Sequence, residues 1–89
     1  MVRYEWEMGI TRAEFVRLLP VAVSGDAFEE RGDEVLGPGW RLVLAQKPPR
    51  RIALISTPVL EVVLEVEAGG KAAADFVARF LLGYQRAGG

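Results

Sequence analysis

The chain predicts an α+β domain: an antiparallel meander of four to five strands with two helices packed on one face, in the order β-α-β(3–4)-α. Three observations carry this expectation. Apolar residues alternate strictly over several short runs, which is the period of a half-buried strand. Two other segments carry apolar residues at helical spacing. The connections between the later strands are short, which favours antiparallel neighbours. Residues 1–89 are expected to form a single domain, long enough for a core without disulfide or metal support.

In chain order, Val2 to Met8 is the first strand, with Tyr4, Trp6 and Met8 on one side and Arg3, Glu5 and Glu7 on the other. Gly9 ends it. Thr11-Arg12-Ala13-Glu14 fits a capping box, with the Thr11 hydroxyl taking the Glu14 amide and the Glu14 carboxylate reaching back to the cap. The helix that follows is expected to bury Phe15, Leu18, Leu19 and Ala22, leaving Arg12, Glu14 and Arg17 wet. Pro20 lacks an N–H and clashes with the preceding turn, so the helix either stops near Leu19 or continues, kinked, to about Val23.

Ser24-Gly25-Asp26 reads as a turn. Ala27 to Arg31 is a candidate short strand, Gly32-Asp33 a turn and Glu34 to Leu36 a second short piece, at an edge because carboxylates crowd it. Gly37-Pro38-Gly39 is a firm break. Trp40 to Lys47 alternates again, with Trp40, Leu42 and Leu44 on the core side. Lys47-Pro48-Pro49-Arg50 is expected to connect into a hairpin at Arg51–Glu67, turning at Thr57-Pro58 because Pro58 cannot donate to a ladder. Ile52, Leu54, Leu60, Val62, Leu64 and Val66 are assigned to its core side. Gly69-Gly70 leads into the last helix, which gathers Ala73, Phe76, Val77, Phe80 and Tyr84 on one side. Asp75, Arg79 and Arg86 lie opposite, with Asp75 and Arg79 spaced to pair. Leu82 sits within that polar face, and Ala87-Gly88-Gly89 should fray.

This element order resembles the β-α-β4-α unit of TATA-binding-protein-like folds, a likeness of topology that implies no activity. The pattern RRIALISTPVLEVVLEVE…DFVARFLLGYQRAGG also resembles short bacterial proteins without an assigned activity.

Composition narrows the chemistry. About half the residues are apolar and a quarter charged, with a formal net charge of −1, which is globular and argues against non-specific nucleic-acid binding. There is no cysteine, histidine or asparagine, and four side-chain hydroxyls lie outside tyrosine: Thr11, Ser24, Ser56 and Thr57. Imidazole and thiolate chemistry is therefore excluded, and with it the usual nucleophile triads. Ser24 beside Asp26 has no base to activate it. No catalytic residue, cofactor or metal is assigned, and an enzyme is disfavoured. The MVRYEWEMG start has no apolar signal region, and no window approaches the ~18 apolar residues of a spanning helix, so a soluble cytoplasmic protein without membrane partners is expected.

Several clusters have two readings. Glu29, Glu30, Asp33 and Glu34 offer oxygens to a divalent cation, but match no calcium loop and read better as a solvated turn. Arg31-Gly32-Asp33 spells an adhesion tripeptide, which means little without a secretion signal. Arg41, Lys47, Arg50 and Arg51 form a candidate basic patch for a phosphate or an acidic partner, or simply a solvated hairpin end. Tyr4, Trp6, Trp40, Phe76, Phe80 and Tyr84 either fill the core or line a ligand cleft, with Arg3, Gln46 and Gln85 as its polar groups.

The leading functional expectation concerns the second face of the sheet. Val43, Ala45, Ala53, Ile55 and Val63 should gather there inside a rim of Arg41, Arg51, Glu61 and Glu65, the make-up of an interface. With exposed Leu82, they suggest a non-enzymatic protein that self-associates or docks a protein partner. The alternative is a small-molecule-binding module using the aromatic cleft.

Overall fold

A computed structural model describes residues 1–87. The elements are β1 (Val2–Met8), α1 (Arg12–Ala22), β2 (Glu29–Arg31), β3 (Glu34–Gly37), β4 (Trp40–Ile52), β5 (Ile55–Val66) and α2 (Gly70–Ala87). The expected α+β class and β-α-β4-α order are present. One five-stranded antiparallel sheet has the order β1-β5-β4-β3-β2. The meander runs from β2 to β5, and β1 closes the far side of β5, with Trp6 opposite Val62 and Tyr4 opposite Leu64.

Both helices lie on the face that carries Leu42, Leu44, Val62 and Leu64, all buried with Phe15, Leu19, Ala73 and Phe80. The period-2 and period-3.6 patterns meet there, and removing this apolar surface from water is the main force holding the layers together. Gly83 is where the helices touch. A Cβ on it would stand 2.7 Å from the Ala22 Cα, so glycine is what permits this approach.

Thr11 caps α1, its hydroxyl accepting the Glu14 N–H at 3.2 Å. The reciprocal half of the capping box is replaced. The Glu14 carboxylate takes the Arg17 Nε–H at 3.0 Å, and that bond holds its pKa below the usual carboxylate value. Pro20 does not end the helix, which continues to Ala22. In the last turn its missing N–H forfeits one intrahelical bond, and the Val23 N–H closes the turn on the Leu19 carbonyl at 3.0 Å. Gly25, with φ +81°, then returns its N–H to the Pro20 carbonyl at 2.8 Å.

The 27–36 segment forms the two short strands β2 and β3 around Gly32-Asp33. Trp40 begins β4 with its indole against Gly37, where a Cβ would be 2.1 Å from the ring. Its Nε1–H donates to Asp26 at 3.1 Å. On α2, Asp75 pairs with Lys71 at 3.0 Å rather than with Arg79, so the salt bridge forms one turn earlier than expected. The Arg86 side chain and the Gly88-Gly89 end lie outside the described residues.

The largest correction concerns the β4–β5 hairpin. It turns at Ala53-Leu54, not at Thr57-Pro58: Ile52 opposes Ile55, and Ala53 has φ +56° at the first of the two loop residues. Lys47-Pro48-Pro49-Arg50 is not a connection but part of β4. The register shifts between Lys47, opposite Val59, and Arg50, opposite Thr57. Pro48 and Pro49 therefore face Pro58 across a bulge, where none of the three has an N–H to lose from the ladder. A bulge tolerates proline as a turn does, which is why the sequence signal was ambiguous.

Past the bulge the hairpin outruns the helical layer. The molecule is 43 Å long, whereas the 18 residues of α2 span about 27 Å at ~1.5 Å per residue. The last residues of β4 and the first of β5 are exposed throughout as a projecting arm. Ile52 and Leu54, expected on the core side, are on this arm instead.

Candidate functional site

The open face of the sheet is built from residues in direct register. Arg3, Glu5 and Glu7 of β1 oppose Glu65, Val63 and Glu61 of β5, which in turn oppose Arg41, Val43 and Ala45 of β4. Alternation puts all nine on the side away from the helices. Val43, Ala45 and Val63 are half-buried at the centre and border a shallow hollow of about 280 Å³ with Glu5, Glu7 and Glu61. Around them the charges are paired. Arg41 donates to Glu34 and Glu65, bonds that raise its pKa further, and Lys47 stands 3.1 Å from Glu61.

This arrangement divides the expected interface into three. Val43, Ala45 and Val63 come together as expected. Ala53 and Ile55 do not join them, because the hairpin turns at Ala53-Leu54 and carries both to the tip of the arm. Leu82 is exposed on α2, on the other layer of the molecule. The four cations do not form one patch either. Arg41 and Lys47 are held by open-face carboxylates, Arg50 donates to Glu7 at 2.6 Å, and Arg51 lies on the arm without an ion-pair partner among the described residues.

The arm is the prominent feature. Ile52, Leu54 and Ile55 are 68%, 103% and 69% exposed. Ile52 and Ile55, with Glu7, Arg50, Thr57 and Pro58, border a groove of about 350 Å³ between the arm and the end of β1. Leu54 caps the turn beside Arg51 and Ser56. The Arg50–Glu7 bond ties the base of the arm to β1, and beyond the bulge the ladder continues through Arg50–Thr57, Arg51–Ser56 and Ile52–Ile55. Ile52 and Leu54, expected on the core side, and Ala53 and Ile55, expected on the open face, are the residues that sequence reasoning placed wrongly. The available signal was the apolar character of both alternating sides from Ile52 to Ile55, which one buried face does not require.

The aromatic residues stack on one another. Trp6 and Phe80 are 5.8 Å apart, Phe15 and Tyr84 4.6 Å, and Phe76 and Phe80 6.4 Å between ring centroids. A groove of about 520 Å³ does lie beside α1 and α2, lined by Met8, Ile10, Leu18, Leu81 and Tyr84 with Glu14 and Gln85. Of the six aromatics considered for a cleft, Tyr84 alone contributes to it. Gln46 is occupied elsewhere: its oxygen accepts the Arg12 N–H at 2.7 Å, and its amide donates to the Val59 carbonyl at 2.8 Å. Arg3 is paired with Glu5 at 3.5 Å.

The Tyr84 hydroxyl donates to the Phe15 carbonyl at 2.8 Å in a buried setting, and burial pushes its pKa well above the ordinary 10.0. A raised folded-state pKa means that folding favours the un-ionised phenol. The resulting stability is complete below about pH 10 and is lost as pH rises beyond it. Tyr84→Phe should lose about 0.5–1.5 kcal/mol near neutral pH by removing the bond. It should also show a flatter decline in stability above pH 10, read by urea unfolding across that range. An unchanged alkaline decline would assign the effect to another group.

The acidic cluster is dispersed: Glu29 pairs with Arg31, Glu34 with Arg41, and Glu30 lies 3.9 Å from Arg12. Among the described residues, no three His, Cys, Asp or Glu side chains gather as a metal site would require. In Arg31-Gly32-Asp33, Arg31 ends β2 opposite Glu34 and Gly32-Asp33 make the β2–β3 turn, with the Gly32 carbonyl bound by Arg12. Among the same residues, no helix is long and apolar enough to cross a membrane.

No protein-family model matches the chain, and no curated protein matches it.

Proposed function

We propose that this protein is a non-enzymatic docking module that binds a protein partner through the open side of its β4–β5 hairpin, with the arm as the anchor. The observation that carries this reading is the placement of Ile52, Leu54 and Ile55, three large apolar side chains left in water at the end of a projecting, laddered arm. Such clusters mark contact sites, because water gains most when they are covered. A preformed hairpin also presents its anchors at little ordering cost on binding. Arg51, which lies beside Leu54 and has no ion-pair partner among the described residues, suits a partner with an apolar cleft and an acidic rim. The half-buried Val43, Ala45 and Val63 with their charged surround form a secondary contact strip further along the same hairpin.

Leu54→Ser combined with Ile55→Ser tests the reading. These positions are exposed, so the melting temperature should be nearly unchanged, while binding to a partner recovered with the wild-type chain from its own cells should fall by roughly a hundredfold, as for loss of apolar anchors. Binding that survives the double change while Val63→Glu abolishes it would move the anchor to the sheet face. Binding that survives all three would end the reading.

A small-molecule site is the second reading, favoured by the groove of about 520 Å³ beside Tyr84. A ligand that raises the melting temperature of the wild type but not of Leu81→Arg would support it.

A further inference from the structure

The two outer strands of the sheet differ in length, seven residues in β1 against three in β2. β2 is three residues long, exposed throughout, and carries the Glu29–Arg31 ion pair. Short, charged edges of this kind resist pairing with other chains. β1 shares the charge, with Arg3, Glu5 and Glu7 on its open side, but not the shortness. It runs seven residues without proline, its register with β5 is unbroken from Val2–Val66 to Met8–Leu60, and no strand lies beside its outer edge among the described residues. A straight row of free amide and carbonyl groups is a template for a further strand.

The side chains of β1 select the strand that fits. Residues directly opposed in an antiparallel pair lie on the same side of the sheet, so their charges and shapes must agree. When β1 is set against a second β1 about Tyr4, Arg3 opposes the partner's Glu5, Glu5 opposes the partner's Arg3, and Tyr4 opposes the partner's Tyr4. Val2 then opposes the partner's Trp6, apolar against apolar on the helical side. Moving the centre to Glu5 sets Glu5 against the partner's Glu5. Moving it to Arg3 sets two arginines together, and moving it to Trp6 sets Glu5 against the partner's Glu7. A slip by one residue puts Tyr4 opposite Glu5 in one direction and opposite Arg3 in the other. Of the registers centred on Arg3, Tyr4, Glu5 and Trp6, only that about Tyr4 opposes no like charges.

The groups involved are placed to respond. Arg3 and Glu5 are 3.5 Å apart on one strand with side chains 59% and 66% exposed, so each can also reach a strand alongside. Tyr4 and Trp6 stack nearly parallel at 5.9 Å and stay half-buried at the edge, where a second strand would cover them.

We propose that two copies of this chain associate through β1, antiparallel and centred on Tyr4, joining two sheets into one continuous sheet. The contact is two-fold symmetric, so each Arg3–Glu5 pairing occurs twice. It uses a different edge from the arm, which stays free for a partner.

Sedimentation velocity of the full chain over a concentration series tests it with charge reversals. The wild type should pass from monomer to dimer. Arg3→Glu and Glu5→Arg should each weaken the dimer by roughly tenfold or more, since each places like charges in opposition twice. The double variant carrying both changes should restore association to within a few-fold of the wild type. Both positions are exposed, so circular dichroism should show every variant folded. Leu54→Ser should leave the dimer intact, which separates this contact from the arm. A wild type that stays monomeric at millimolar concentration, or a double variant no tighter than the single ones, would overturn the proposal. So would loss of the dimer on Leu54→Ser alone.

Discussion

Replacing Phe80 by alanine should remove about 3–5 kcal/mol of stability, the usual cost of deleting a fully buried phenylalanine ring. Phe80 is completely inaccessible. Its ring centroid lies 5.8 Å from Trp6, 6.1 Å from Phe15, 6.4 Å from Phe76 and 5.2 Å from Tyr84, so it joins β1, α1 and α2 at one point. Alanine would leave a void between rigid rings that cannot collapse to fill it. A domain of this size has about 5–15 kcal/mol in total, so roughly a fifth or more would be lost. In urea the midpoint should fall steeply with an unchanged slope. Phe80→Leu, which keeps most of the volume, should cost much less. A loss below about 1 kcal/mol for alanine would mean that the ring is not close-packed.

Gly83→Ala should also destabilise, and here the sign is the test. In an exposed helix interior the change would stabilise by about 1 kcal/mol, because glycine is the poorer helix former. At Gly83 the new methyl carbon would lie 2.7 Å from the Cα and 3.2 Å from the N of Ala22, and both are backbone atoms that cannot rotate aside. The helices must separate, which loosens the Phe15, Phe80 and Tyr84 stack between them. Overpacking of this kind costs about 1–3 kcal/mol, enough to reverse the propensity gain. The melting temperature should fall by several degrees, at about 4–8 °C per kcal/mol. A rise would show that α1 and α2 do not approach so closely in solution.

Much of the architecture was legible in single segments. Tyr4-x-Trp6-x-Met8 and Leu60-x-Val62-x-Leu64-x-Val66 specify strands and the side each one buries. Phe15, Leu19, Val77 and Phe80 specify helical stripes, and Thr11 with Glu14 marks where α1 begins. The short strands flanking Gly32-Asp33 were also visible. The candidate site was legible only in part. Val43, Ala45 and Val63 were placed together correctly, since they lie in strands whose alternation is unbroken. Ile52, Ala53, Leu54 and Ile55 were not, because proline at 48, 49 and 58 gave a turn signal where the chain makes a bulge. Moving the turn from Pro58 to Ala53-Leu54 takes residues assigned to a face and puts them at a tip.

The sequence by itself determined the type of each element, the apolar side of each regular segment, and the lack of any thiol or imidazole for chemistry. These are properties of residues and of local spacing, so neighbours in the chain suffice to express them. Tertiary structure decided that β1 lies beside β5, that Gly83 meets Ala22, and that the hairpin extends beyond its helices. Each depends on distance between segments far apart in the chain. Ile52 and Leu54 show the difference most clearly: their side chains are as apolar as those of Leu42 and Leu64, but the helical layer ends before it reaches them, so the same chemistry that builds the core is left facing water.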